Sequence, residues 1–234
     1  MLRDPLSLIF CLGFPLVMLL IMQIVFVSLD LDAVPPNFLI TSYASGICVF
    51  GFTFTSLYVA LQIASDKNTS FMKRIDISPI NKFQYYCSFF LSALPMALIQ
   101  IVLFFLVALI FGFPFDGNFF LSILYLLPSA MFYICVGILI GALCKNEKQT
   151  GPIASIFISL VGIFGGVFMP ITSFKGGFAT FINLLPFSHS VFIGSELQTV
   201  GASCIYPHVL YLLFYIVLII AVVAIIEKVR QRKK

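Results

Sequence analysis

Two histidines, six cysteines and a few glutamines are the side chains in this sequence that could do chemistry away from a charged surface. Zinc hydrolysis needs ligands at a set spacing, such as HExxH on one helix face. His189 and His208 have no such motif around them and no paired carboxylates, so each reads as solvated or internally satisfied. Cys11, Cys48, Cys87, Cys135, Cys144 and Cys204 form no CxxC and no metal spacing. The bland reading, small apolar fillers, suits the four that fall inside apolar runs. Gripping a nucleotide phosphate takes the Gly-Lys of a phosphate-binding loop, and no Gly-Lys dipeptide occurs. No catalytic set and no metal site are expected, and any ATP-driven work requires a second protein. Gln23, Gln62 and Gln100 are the most polar side chains within or near the apolar runs, with no Asp, Glu, Lys or Arg mid-span. Ionisable residues inside a membrane mark proton and ion routes. Their absence counts against a proton- or sodium-driven carrier and against a charge-lined channel.

The elements that must position these residues are apolar runs of about twenty residues, the length that crosses a bilayer as a helix. Six are read: Pro5–Leu29, Phe38–Ala64, Phe83–Phe111, Phe119–Leu143, Gly151–Phe174 and His208–Ile226. Hydrophobic residues make up 61% of the 234-residue chain and charged residues 9%, which leaves no segment able to fold alone in water. The expectation is a single all-α polytopic membrane domain over residues 1–234. Its basic residues fall on one side of the ladder: Arg3; Lys67, Lys73, Arg74 and Lys82; Lys145 and Lys148; and Lys228, Arg230, Arg232, Lys233 and Lys234. Only Lys175 lies on the other side, with Asp30, Asp32, Asp116 and Glu196. Basic loops stay cytoplasmic, so both termini are expected inside, with Asp30–Asn37, Phe113–Asn118 and Lys175–Pro207 outside. The net charge of +4 suits anionic membrane lipid and implies no nucleic-acid partner.

The first run is too long for a cleaved signal, and Val27-Ser28-Leu29 lacks small residues at the cleavage spacing. With no Trp in the chain, Tyr85, Tyr86, Tyr206 and Tyr211 are expected as interfacial anchors. Pro15, Pro95 and Pro128 predict kinks, static or hinged. Gly137 with Gly141, and Gly162 with Gly166, predict close helix contacts within one subunit or between two.

Two connecting segments stand out. Ser65–Lys82 predicts a two-turn helix, capped by Asn68, Thr69 or Ser70 and ended by Pro79. On it Phe71, Met72 and Ile75 share a face, while Lys73, Arg74 and Asp76 point elsewhere. Such a helix could rest on lipid headgroups or plug a groove of a cytosolic protein. Lys175–Leu197 is strongly apolar for an outer loop, with Phe178, Phe181, Leu185 and Phe187 among its residues and Pro186 breaking it. Two short helices dipping back into the outer leaflet are expected there.

In order along the chain, Arg3-Asp4-Pro5 leading to Pro15, Asp66–Pro79 ending in Ser78-Pro79-Ile80, Gly166-Val167-Phe168-Met169-Pro170, and Leu184-Leu185-Pro186-Phe187 followed by Glu196 form a pattern. With the topology, it resembles the membrane subunit of an ATP-binding-cassette exporter, of the drug, lipid and polysaccharide kind typified by daunorubicin resistance. Two departures are visible. Only Met1–Asp4 stands where that family has an interfacial helix, and Ser65-Asp66-Lys67-Asn68 replaces its Glu-rich patch. The resemblance implies a multi-pass protein of a bacterial plasma membrane, paired with a second permease copy or paralogue and with two cytosolic ATPase subunits that hold ATP and magnesium. It implies coupling to the ATPase through Phe71, Met72, Lys73, Arg74 and Ile75. It also implies an outer re-entrant gate of Phe178, Phe181, Leu185, Pro186 and Phe187. The lack of mid-span charge suits a drug, antimicrobial peptide or lipid-linked cargo. The rival reading is a stand-alone immunity or binding protein that sequesters a peptide at its outer face.

Overall fold

The computed structural model describes residues 9–28, 38–78, 82–169, 175–199 and 205–232. Among these residues every regular element is helical. A π-helical turn, Ile9–Gly13, runs into α1 (Phe14–Val27), and Pro15, which has no N–H to give the preceding turn, stands just after the change of helix type. Next come α2 (Ile40–Asp66), the short α3 (Ser70–Ile77) and α4 (Lys82–Ile110). The chain continues through α5 (Gly117–Tyr125), α6 (Leu127–Leu143) and α7 (Glu147–Phe164). It ends with α8 (Gly177–Leu184), α9 (Pro186–Thr199) and α10 (Ile205–Arg232). Arg3-Asp4-Pro5, the expected outer segment Asp30–Asn37, Pro79-Ile80 and Pro170 lie outside the described residues.

Four stretches are long and apolar enough to cross a membrane: Ile40–Asp66, Lys82–Ile110, Gly117–Leu143 and Ile205–Arg230. A fifth is present if Gly177–Leu184 and Pro186–Ser195, bent by 80°, count as one. The expected six runs are therefore only partly matched. Cys11–Val27 is apolar but shorter. The fifth expected run, Gly151–Phe174, is corrected at both ends. Its helix α7 starts at Glu147, because the Asn146 side chain accepts the Gln149 N–H at 3.0 Å and caps it. It stops at Phe164, because Gly166 takes φ of 82° and turns the chain back so that Phe168 N–H reaches the Gly162 carbonyl. The fourth run is broken at Leu126, just before Pro128.

α2 is the centre of the molecule, buried from Tyr43 to Ala64 over most of its faces. α6 lies against it closely, since a Cβ on Gly137 would strike the Ser56 carbonyl and one on Gly141 would strike Ala60 and Ile63. Gly162 likewise sits under Phe168 and Phe50. These glycines therefore serve packing inside the chain. The buried Thr55 hydroxyl donates to Gln100 Oε1 at 3.1 Å, tying α2 to α4 at depth. Gly51 leaves room for that amide. Outward faces stay apolar, as at Ile110, Leu210 and Val217, a surface that hydrocarbon accommodates and water does not.

Candidate functional site

The ends of α2, α4, α6 and α10 meet at one end of the bundle, and α3 sits there. Thr69 precedes α3 with extended backbone, but no side chain caps the helix. The expected capping is corrected: Thr69 Oγ1 donates to the Asp66 carbonyl at 2.8 Å and Asn68 to that of Ala64 at 3.4 Å. Both close the end of α2 instead. Ser78 is extended, the conformation favoured before proline.

The three apolar side chains of α3 do not form one free face. Ile75 is buried in the chain's own core and Met72 packs against it. Phe71 is 43% exposed, with its ring 6.5 Å from that of Tyr85. Arg74 is exposed, and Ile77 is 87% exposed. Phe71, Arg74 and Ile77 are spaced i, i+3 and i+6, which makes one outward stripe. The side chain of Lys73 lies outside the described residues.

Beneath α3 is a polar clamp. Asp66, the last residue of α2, accepts the Tyr85 hydroxyl of α4 at 2.9 Å. Lys67, the next residue, donates to the carbonyls of Gly141, Ala142 and Cys144 at 2.5, 2.7 and 2.7 Å. Terminal helix carbonyls lack partners within their own helix, and a cation there also meets the negative end of the dipole. Burial, then the nearby Arg230, pushes the Lys67 ammonium down to about 8. It remains protonated at neutral pH, with three N–H donors for three acceptors. Glu227 of α10 is buried; its Oε1 accepts the Tyr86 hydroxyl at 2.8 Å and lies 3.4 Å from Arg230. Its Oε2 is 3.3 Å from Lys82 Nζ. Arg230 also reaches the Leu143 carbonyl at 3.4 Å.

Tyr85 and Tyr86 are thus buried clamp residues, which corrects their expected role as interfacial anchors. Tyr206 and Tyr211 are exposed. The clamp is what sequence reasoning missed. A lone acid in a basic tail, Glu227, and the Asp66-Lys67 pair at the end of a run were the available signals.

At the opposite end α8 and α9 form two short helices, as expected. Pro186 is buried at the start of α9, Leu185 is half-buried at the bend, and Phe187 meets Phe157 of α7 edge-on at 5.5 Å. Ser188 Oγ donates to the Ile182 carbonyl at 2.8 Å and to Phe164 at 3.2 Å. Tyr215 of α10 donates to the Leu184 carbonyl at 2.9 Å. His189 and His208 stand 2.7 Å apart between their Nδ1 atoms, and Tyr211 stacks on His189 at 4.5 Å. α8 keeps Phe178 and Phe181 exposed, stacked on each other at 6.4 Å. The side chain of Glu196 lies outside the described residues. Among the described residues no group of three or more His, Cys, Asp or Glu could hold a metal.

A family model described as ABC-2 family transporter protein matches residues 23–225. The chain is also similar to ABC transporter G family member 20 of Dictyostelium discoideum, at 25% identity over 196 residues. That match covers 80% of this chain and 27% of the relative, so the chain spans about a quarter of the relative's length. No solved structure matches it.

Proposed function

The chain belongs to the ABC-2 family of transporter proteins, and on that premise we propose that it is the permease subunit of an ATP-driven exporter for an apolar or amphipathic cargo. The family is the membrane component of an ATP-binding-cassette transporter and not its ATPase. In this reading α1, α2, α4, α5 with α6, α7 and α10 make six crossings, and α8–α9 is a re-entrant hairpin at the outer face. Both termini lie inside, a second permease copy or paralogue completes the pathway, and two cytosolic ATPase subunits bind ATP with magnesium. The cargo is a drug, an antimicrobial peptide or a lipid-linked molecule.

The observation that carries the reading is α3. It is rooted in the core by Ile75 and Met72 and presents Phe71, Arg74 and Ile77 outward. A stroke delivered to that stripe passes through Asp66 and Lys67 to the ends of α4 and α6. Rigid attachment of this kind is what a coupling element needs. Phe178, Phe181, Leu185, Pro186 and Phe187 then form the outer gate, held to α7 and α10 by the contacts above.

The test is co-expression with candidate ATP-binding-cassette ATPase subunits from the same genome, followed by co-purification and cargo-stimulated ATP hydrolysis. The expected result is a stable complex whose hydrolysis rises with cargo. A permease that purifies alone and protects cells from an external peptide without any ATPase would replace this reading with sequestration.

A further inference from the structure

Away from the clamp's centre, α4, α6 and α10 enclose a slot of about 540 Å³. Its walls are apolar, with Phe83 and Phe90 from α4, Ile138 from α6, and Ile216, Ile219 and Val223 from α10. Its mouth is charged and lies at the basic end, formed by Lys82, Glu227 and Lys228. We propose that this slot binds one anionic phospholipid of the leaflet at that end, its acyl chain between α4 and α10 and its phosphate on Lys228.

Three observations select this occupant. The first is charge. The Glu227 carboxylate is met within the protein by Tyr86, Lys82 and Arg230, so the mouth as a whole is positive. Lys228 is exposed at the mouth, and an ammonium offers three donors to a phosphate. Basic pockets between membrane helices suit anionic headgroups for this reason. The second is depth. From Ile216 to Lys228 the slot follows α10 for roughly 18 Å at about 1.5 Å per residue, close to the roughly 15 Å of hydrocarbon in one leaflet. The third is access. Phe83 is 55% and Ile220 43% exposed on the flank, so a chain slides in sideways from the bilayer without crossing water. The site is of ordinary ligand size, and its occupancy does not depend on the export reading.

The absence of tryptophan from the chain makes the test direct. Phe83→Trp places a single fluorophore in the wall of the slot, and Val217→Trp, 66% exposed and not in the lining, places one against bulk lipid. Each full-length protein is reconstituted in phosphatidylcholine vesicles with increasing fractions of brominated phosphatidylglycerol or brominated phosphatidylcholine. The position-83 fluorophore should be quenched with a preference of about tenfold for the anionic lipid, while position 217 follows the bulk fraction. Adding Lys228→Gln should reduce that preference by about fivefold, the effect of one cation near the surface. Lys228→Gln removes no clamp contact, so its outcome reads the headgroup and not folding. Equal quenching of position 83 by the two lipids would overturn the assignment, as would a preference unchanged by Lys228→Gln.

Discussion

At Glu227 a carboxylate enters the bundle end with its oxygens met by Tyr86, Arg230 and Lys82. Removing one partner from a buried polar network costs about 1–3 kcal/mol, because the groups left behind stay desolvated. Glu227→Gln should therefore lower the thermal stability of the detergent-solubilised protein by about that amount. Replacing Glu227 with Leu, Lys82 with Met and Tyr86 with Phe together should recover much of the loss, since apolar partners carry no desolvation penalty. A Glu227→Gln protein as stable as the parent would mean that apolar packing alone holds these ends. On α3 the residues divide by role. Ile75→Ala opens a cavity under the helix and should destabilise the protein by about 2–5 kcal/mol. Phe71→Ala with Ile77→Ala should leave stability within about 0.5 kcal/mol yet lose the ATPase on co-purification, as each apolar contact is worth about 1.5–3 kcal/mol. Retention of full complex and full cargo stimulation by that double variant would remove α3 from the coupling route.

Among the elements, the hairpin of α8 and α9 is held by polar contacts on its inner side and keeps Phe178 and Phe181 about half exposed on its outer side. If α8 lies in the outer leaflet as proposed, a carboxylate there meets hydrocarbon, at about 2.5–3.5 kcal/mol per Asp at full depth. Phe181→Asp with Leu185→Asp should then impair export while the long helices still insert, read by transport into inverted vesicles beside a normal expression level. Unchanged export would show that the hairpin rests in water and gates nothing. α2 answers a different need. Its contact with α6 is close because Gly137 and Gly141 carry no side chain, and Lys67 at its end is bonded to the last carbonyls of α6.

The whole molecule carries Lys67, Lys82, Lys145, Lys228 and Arg230 at one end, where the ends of α2, α4, α6 and α10 converge. Charge asymmetry of this kind orients membrane proteins with the basic side in the cytoplasm. In a cysteine-free background, Asn37→Cys should react with an impermeant maleimide added to intact cells, and Lys145→Cys should react only after the membrane is opened. Lys145 is the better inner reporter than Asn146, whose side chain caps α7. Labelling of position 145 but not 37 on intact cells would invert the proposed topology and with it the coupling role of α3.

Hydropathy and turn chemistry are sums over neighbouring residues, so the sequence by itself determined whatever depends on such sums. That includes the all-helical membrane class, the segregation of basic residues, the short helix after α2 and the two helices around Pro186. It also carried the family pattern. What it did not determine is which face of an element meets which neighbour. Ile75 and Phe71 look alike on a helical projection, and only the packed bundle separates a root from a free contact. Tyr86 is expected as an interfacial anchor, and Glu227 stands as a single acid beside a basic tail with no reading attached. Their hydrogen bond joins residues 141 apart in sequence, and no local pattern announces it. The end of α7 was misread for a related reason. The apolar run continues past Phe164, but Gly166 turns the backbone, and Phe168 folds back over Gly162 to pack against Phe50. Local composition selects the elements; burial against distant partners assigns each side chain its role, because desolvation is decided by whatever arrives next to it.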